Sequence, residues 1–326
     1  MPPGRSLRSP RRSLPTLGVS RNAIWKAVKA LQEQGYAIES LPSTGYRLRQ
    51  KADILTRDAI CEALHVPLKL HLLDKVDSTN NYAKTLPDLS LPQLVVSEEQ
   101  TAGRGRLGRS FYSPAGKGIY MSFAFCPQLE LSRAMLVTPM TAVAVCRALE
   151  SLTGLRPKIK WVNDIYLNEK KLCGILTEAE TNFETGEIQK IIVGIGINCF
   201  EDASMPPEIR EVATFLDKPQ ESFDRNALIA AIANEFFDML AHFDRAKIVR
   251  DYRARSFILG QQILIFNPAI ARAIGRPDNR LSEGIRARAI DIDENGGLVV
   301  EYLEGTKSRP METLSTGEIT VRKVYD

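Results

Sequence analysis

The chain has 326 residues, of which 44% are apolar and 25% charged, and its net charge is +4. That is the composition of an ordinary globular protein with room for about two or three domains. No run of about 18 apolar residues offers a membrane span, and the basic N-terminus MPPGRSLRSPRRSLPT lacks the apolar segment of a secretory signal. Five cysteines without a C-x-x-C pair and three scattered histidines argue against a zinc site or a disulfide framework, and for a reducing cytoplasm.

Charge is concentrated at the front. Residues 1–51 carry ten Lys or Arg against Glu33 and Glu39, a net +8, which leaves −4 for the remaining 275 residues. A basic module on a mildly acidic body predicts a polyanionic partner for that module alone. Within it Ser20 is placed to cap a helix over 20–34, with Ile24, Val28 and Leu31 at helical spacing and Gly35 as the stop. The other face of that helix carries Arg21, Asn22, Trp25, Lys26 and Lys29. Two short strands follow at 36–41 and 46–49, joined by Pro-Ser-Thr-Gly, and Arg47 lies on the second. A helix followed by a basic hairpin is how a winged helix-turn-helix ends, the helix lying in the major groove and the wing on the backbone. A solvated amphipathic helix beside a hairpin has the same pattern. Pro2, Pro3, Pro10 and Pro15 break any helix upstream, so the module is expected to be incomplete, a recognition helix and wing preceded by a basic arm.

The middle of the chain mixes helices and strands. A short helix is predicted over 57–64, and the apolar run LHLLDKV leads into Asp77-Ser78-Thr79-Asn80. Those hydroxyl and amide groups suit a neutral polar ligand, and they equally suit a helix N-cap. The stretch 103–118, GRGRLGRSFYSPAGKG, has the G-x-G-x-x-G spacing of a dinucleotide-binding turn. Leu94-Val95-Val96 before it reads as a strand, but the Pro and Gly residues after it exclude a helix, and Ile119 to Phe125 reads as a second strand. The loop is therefore strand-to-strand. Arg104, Arg106 and Arg109 give it three guanidiniums suited to holding a carboxylate or phosphate by side chains. A solvated basic loop, or an RGG-like nucleic-acid segment, is the plain alternative. A long apolar helix over 132–153 is expected to kink near Pro139, strands are expected at 158–161, 164–167, 172–177 and 188–197, and an amphipathic helix at 225–243. Strands with helices on one side imply an α+β domain.

From Ile258 the pattern is strands alone: QQILIF, IRARAIDID, LVVEYL and ITVRKV, with an Asn-Gly-Gly turn. A small β-barrel of about 65 residues fits this spacing, with NPAIARAIGRPDNRLSEG as a long polar loop.

Two more stretches carry polar chemistry. Lys160-Trp161-Val162-Asn163-Asp164 sets a cation, an aromatic and a carboxylate at a strand turn, and Lys171 opens KLCGIL, whose glycine admits a ligand close to the backbone. Each alone is as readily structural. In their order, LGVSRNAIWKAVKALQEQGY, STGYRLR, DSTN, EEQTAGRGRLGR, KWVND, KLCGIL and VGIGIN, the chain resembles the biotin protein ligases of the bifunctional type that also act as biotin operon repressors.

The resemblance implies three parts: an incomplete winged helix-turn-helix over 1–51, a mixed-sheet biotin/lipoate ligase-like catalytic domain over 52–256, and an SH3-like domain over 257–326. It implies biotin contacts at Ser78, Thr79, Asn80, Gln100, Arg104, Gly105, Arg106 and Lys171, nucleotide contacts at Arg109, Lys160, Trp161, Asn163 and Asp164, and catalytic roles for Lys171 and Arg106. The substrates it implies are ATP, with Mg²⁺ carried by the nucleotide, and biotin; the partners are a biotin carboxyl carrier protein, operator DNA, whose binding the incomplete N-terminal module is expected to weaken, and a second copy in a ligand-dependent homodimer. Val162 departs from the proline common in K-W-P-N-D, and Phe111 stands where a tryptophan is frequent. Lipoate or octanoate ligases and transferases share the fold and are the enzymatic rival. A ligand-binding repressor without ligase activity is the rival of another class.

Overall fold

The computed structural model describes residues 19–33, 37–41, 45–50, 53–87, 89–126, 131–182, 184–185, 187–216, 224–267, 270, 283–303, 311–315 and 320–323. They form two compact units divided between Ile54 and Leu55.

In the first unit, α1 (Arg21–Glu33) starts where Ser20 Oγ accepts from the Ala23 amide at 3.2 Å, the expected N-cap. Strands β1 (Ala37–Leu41) and β2 (Gly45–Gln50) pair antiparallel with Ile38 opposite Leu48. Gln32 Nε2 donates to Ile38 O at 2.7 Å and ties helix to hairpin. Ile24 and Val28 are half-buried, whereas Leu31 is exposed. The proline-rich arm, Gly35 and Tyr36 lie outside the described residues.

The second unit is built on a seven-stranded mixed sheet in the order β3-β4-β5-β9-β8-β7-β6. Its strands are β3 (Lys69–Val76), β4 (Gln93–Gln100), β5 (Gly118–Phe125), β6 (Lys158–Lys160), β7 (Asp164–Leu167), β8 (Lys170–Thr181) and β9 (Ile188–Asn198). Only β3 and β4 pair in parallel among these neighbours; the rest are antiparallel. One face is covered by α2 (Arg57–Ala63), α5 (Val137–Thr153), α7 (Arg225–Ala241) and α8 (Arg245–Arg255), whose apolar residues join the sheet in one core. On the opposite face α3 (Thr79–Thr85) packs Ala83 against Val95, Ala124 and Ile192. The helices are thus not all on one side.

Two details correct the sequence reading. The helix expected over 132–153 is two helices, α4 (Leu131–Ala134) and α5, with Met135 and Leu136 between them. Pro139 then falls in the first turn of α5, where its missing N–H would have had no partner in any case. Gly154, at φ 71°, ends α5 in the left-handed conformation that glycine adopts without cost. The second correction is Ser78, which precedes α3 but makes no side-chain capping hydrogen bond.

The C-terminal strands β10 (Gln262–Phe266), β11 (Ile285–Ile292), β12 (Leu298–Tyr302), β13 (Met311–Leu314) and β14 (Thr320–Lys323) form an antiparallel sheet in the order β13-β12-β11-β10-β14. Nearly all of the polar segment expected between β10 and β11 lies outside the described residues. The Asn-Gly-Gly turn joins β11 to β12, and Asp293 Oδ1 accepts from the amides of Asn295 and Gly297 at 2.9 and 2.7 Å to hold it.

Candidate functional site

Strand alternation creates the site. Met121 and Phe123, Val193 and Ile195, and Cys173 and Ile175 point into the helix-covered core, so Ser122, Gly194, Gly196 and Gly174 face the other side. Ser122 is the register partner of Gly194, and Gly174 that of Gly196. Four small side chains on three adjacent strands leave a trough. At Gly194 a Cβ would overlap Asn80 Oδ1 and lie 2.9 Å from its Cγ; at Gly196 it would lie 2.5 Å from the Phe111 ring. The Phe111 ring lies over the Gly174 and Gly196 pair.

A polar network lines one end. Thr79 donates its amide and its hydroxyl to Gln100 Oε1 at 2.8 and 3.1 Å, and Gln100 Nε2 donates to Ser113 Oγ at 2.9 Å. The buried Ser122 hydroxyl lies 2.7 Å from both Thr79 Oγ1 and Asn80 Oδ1. Asn80 Nδ2 donates to Glu178 Oε2 at 2.8 Å.

The arginine loop straddles the trough from β4 to β5. It is pinched by Gly105 N donating to Arg109 O at 2.7 Å and Phe111 N to Gly103 O at 2.8 Å, around a single 3-10 turn at Arg106–Gly108. Arg104 reaches Asn81 Oδ1 at 3.1 Å and Glu178 Oε1 at 3.2 Å on one side. On the other side Arg106 donates to Asn163 Oδ1 at 3.2 Å. Burial lowers the Arg106 pKa from its usual value, Asp164 opposes the shift and the neighbouring charge of Arg109 adds to it. A guanidinium that is partly stripped of water and close to another cation is poised to take an anion.

The turn between β6 and β7 supplies the remaining groups. Asn163 Nδ2 donates to Ile175 O at 2.8 Å, which fixes its amide, and Tyr252 Oη donates to Val162 O at 3.1 Å. Lys171 Nζ is 2.8 Å from Asp164 Oδ1, an oxygen that makes no aligned hydrogen bond, so their attraction is Coulombic. Lys160 Nζ stands 5.3 Å from the Tyr166 ring centroid. Trp161 is buried, and its indole N–H donates to Gly296 O of the C-terminal sheet at 2.9 Å.

These residues line two adjoining cavities. Ser78, Thr79, Asn80, Gln100, Arg104, Gly105, Arg106 and Lys171, the residues that the resemblance assigns to biotin, all line one. Arg109, Lys160, Trp161, Asn163 and Asp164, those assigned to the nucleotide, all line the other. Gly105, Arg106, Phe111, Asn163 and Lys171 belong to both. Sequence reasoning did not single out Ser122, Glu178 or the glycines of VGIGIN as site residues. Alternation within that strand was the available signal, but it acquires meaning only once the β8 and β9 register is known.

In the first unit, Arg21, Asn22, Trp25, Lys26 and Lys29 are exposed on α1, and Arg47 is exposed on β2. Trp25 is 47% exposed, with Lys29 Nζ 4.9 Å from its ring centroid, so it is available to a partner and takes no part in a core.

Comparison with known proteins agrees with this geometry. Residues 72–198 match the model of the biotin/lipoate A/B protein ligase family, and residues 16–47 match that of an HTH domain. The chain is 35% identical over 298 residues to the bifunctional ligase/repressor BirA of Bacillus spizizenii, covering 89% of this chain and 88% of that one. It is 30% identical over 292 residues to BirA of Escherichia coli, with 89% of each chain covered. The biotin protein ligase of Aquifex aeolicus, solved in complex with biotin and ATP, superimposes with a TM-score of 0.63 at 27% identity, over 78% of this chain and 99% of that one. The chain belongs to the biotin/lipoate A/B protein ligase family, with a helix-turn-helix module at its N-terminal end.

Proposed function

We propose that this protein is a biotin protein ligase. It activates biotin with ATP to biotinoyl-5′-AMP and transfers the biotinoyl group to a lysine of a biotin carboxyl carrier protein. One observation carries the reading: two adjoining cavities, one with the neutral polar groups of Ser78, Thr79, Asn80 and Gln100 in its lining and the other with Arg109 and Lys160, share Arg106 and Lys171. Relatives bearing the names ligase/repressor BirA and, in Paracoccus denitrificans, biotin--[acetyl-CoA-carboxylase] ligase support it.

In the first step a biotin carboxylate oxygen attacks the α-phosphorus, the bond from that phosphorus to the bridging oxygen breaks, and pyrophosphate leaves. Two anions must be brought together, and the fixed cations of Arg106 and Lys171 at the junction offset their repulsion. In the second step the carrier's neutral lysine amine attacks the acyl carbon, AMP leaves with the acyl-phosphate oxygen, and the amine proton goes to solvent. Lys171 stabilises the developing oxyanion, Asp164 positions Lys171, and Arg109 and Lys160 hold phosphate on the nucleotide side. No covalent enzyme intermediate is needed. Asp164, the acidic residue lining that cavity, would face Mg²⁺ carried in with ATP, and the ion would supply neutralisation of the phosphate charge.

The remaining parts follow the same reading. Residues 1–51 are an incomplete DNA-binding module whose hold on operator DNA is weakened, in a ligand-dependent homodimer; residues 52–256 are catalytic; residues 257–326 form an SH3-like barrel. A reducing cytoplasm suits five unpaired cysteines. No helix among the described residues is long and apolar enough to cross a membrane.

The test is incubation with biotin, MgATP and a carrier domain, followed by detection of biotinylated lysine, with parallel reactions lacking ATP or offering lipoate in place of biotin. ATP-dependent biotinylation is expected. Labelling by lipoate alone would assign the chain to the other branch of the family.

A further inference from the structure

We infer that Glu178 is a positioning residue of the biotin pocket: it sets the hydrogen-bonding polarity of Asn80 and latches the arginine loop through Arg104. The inference rests on the ligase reading for its ligand. Glu178 lies on β8, seven positions beyond Lys171, with 22% of its side chain exposed. It ties helix α3, through two of its side chains, and the arginine loop to β8. Asn80 Nδ2 donates to Oε2 at 2.8 Å, Lys84 Nζ lies 2.7 Å from Oε1, and Arg104 lies 3.2 Å from the same oxygen.

The orientation of Asn80 follows from its neighbours. Its Nδ2 hydrogens face two acceptors, Glu178 Oε2 and Leu176 O at 3.3 Å. Its Oδ1 accepts from the Ser122 hydroxyl at 2.7 Å. Flipping the amide would set its oxygen against a carboxylate and a carbonyl. Asn80 therefore has one lone pair on Oδ1 left for the trough, and it offers a ligand N–H an acceptor. Biotin's ureido group carries such N–H donors.

The latch is electrostatic. Lys84 and Arg104 converge on one carboxylate, with Asp77 the other acidic group acting on Arg104 at longer range. Burial pushes the Glu178 pKa up, but hydrogen bonds from Lys84 and Asn80 and the charges of Lys84 and Arg104 outweigh it, so the group is held below its ordinary value and stays ionised at neutral pH. Removing that charge leaves two neighbouring cations without their shared anion, and the hold on Arg104 is reduced to its hydrogen bond with Asn81 Oδ1.

Glu178→Gln separates these roles from mere packing because it preserves shape. The first readout needs no ligand: limited trypsinolysis of the full chain, with the rate of cleavage after Arg104 followed by mass spectrometry. At least a threefold faster cleavage than in wild type is expected. Glu180→Gln, which removes another carboxylate of β8, partly exposed and paired with Lys190 of β9, is expected to cleave at the wild-type rate. The second readout is calorimetric titration with biotin, where Glu178→Gln is expected to weaken binding about tenfold with an unchanged melting temperature. Wild-type cleavage and wild-type biotin affinity in Glu178→Gln would overturn the inference. If that variant does not fold, Glu178→Asp serves in its place: its shorter carboxylate cannot span Asn80 and Arg104 together, and wild-type behaviour overturns the inference equally. Failure of the wild type to bind biotin would overturn the ligase reading, and the ligand-free cleavage rate would still judge the latch.

Discussion

The indole N–H of Trp161 donates to the carbonyl of Gly296 at 2.9 Å, joining the turn that carries Asn163 and Asp164 to the hairpin between β11 and β12. The same hairpin is held by Arg253, which donates to Ile292 O and pairs with Asp291 at 2.9 Å. Trp161 lines the cavity proposed for the nucleotide, yet the one polar atom of its side chain is committed to the C-terminal sheet. Its contribution to a nucleotide is confined to its ring face and backbone.

Trp161→Phe keeps an aromatic ring and deletes the donor. Leaving the buried Gly296 carbonyl unpaired should cost about 1–3 kcal/mol, read as a lower midpoint in denaturant. The KM for ATP should rise while biotin affinity stays near wild type. Equal losses for both substrates would mean that the turn supports the whole site and not its nucleotide side.

Lys171→Ala removes a cation at the junction of the two cavities. Pyrophosphate release should slow by a factor of about 10² to 10³, the usual effect of losing one preorganised charged contact. Far-ultraviolet circular dichroism should not change, because the side chain is about one-third exposed and leaves little void. Release of pyrophosphate at the wild-type rate would remove Lys171 from the chemistry.

Arg104→Ala and Arg106→Ala each unfasten one side of the loop, Arg104 from Glu178 and Arg106 from Asn163. Both should leak biotinoyl-AMP, seen as biotinylation of bystander proteins mixed with the enzyme. A loop that acts only as a substrate pocket would give weaker biotin binding without leakage.

The motifs were legible because each is local: KWVND and KLCGIL keep their chemistry within a few residues, and the arginines are spaced along one loop. What was not legible depends on pairing. The glycines of β9 read as an ordinary apolar strand until β8 sets Gly174 opposite Gly196, and Glu178 reads as a surface charge until that register carries it to Asn80. Helix α8 was missed for another reason. Only Ile248, Val249 and Tyr252 are buried in it, and its RAKIVRDYRAR sequence is dominated by basic residues, of which Arg250, Arg253 and Arg255 pair with Asp251, Asp291 and Glu150. The break at Met135 and Leu136 shows how a proline read as a kink becomes a helix start when the chain places it in a first turn.

Gly194→Ala tests the trough. Asn80 is buried and held by Glu178, Leu176 and Ser122, so it cannot move aside for the added methyl. Overpacking of this kind costs about 1–3 kcal/mol, and biotin affinity should fall at least tenfold. Normal affinity would mean that Asn80 is free to shift and is not a fixed wall of the pocket.

Thiol reactivity tests the core. Cys61 and Cys126 are exposed, while Cys146, Cys173 and Cys199 are buried. Burial pushes the Cys146 thiol up to about 12 and that of Cys173 well above its usual value, so neither forms thiolate near neutral pH. An aromatic disulfide reagent at pH 8 should modify Cys61 and Cys126 rapidly and the other three only in denaturant. Rapid modification of Cys173, beside the Lys171 motif, would mean that the sheet opens at the site.

Binding to DNA should be set by α1 and the charge around it. Arg21, Asn22, Trp25, Lys26 and Lys29 are all exposed on this helix, and residues 1–51 carry a net +8. Neutralising duplex phosphates releases counterions, so the logarithm of affinity should fall linearly with that of salt, with a slope of about −0.9 per phosphate engaged. Replacing Lys26 and Lys29 by Ala together removes up to two such contacts and should flatten the slope by about 1 to 2. Trp25→Ala and Asn22→Ala carry no charge change and should leave the slope alone while altering any preference for an operator over scrambled duplex, since sequence is read by groups that reach base edges. Fluorescence anisotropy on both duplexes at several salt concentrations measures the two effects at once. An unchanged slope in the double lysine variant would place the DNA-contacting charge elsewhere in the basic module, and α1 would lose its role as the helix that enters the groove.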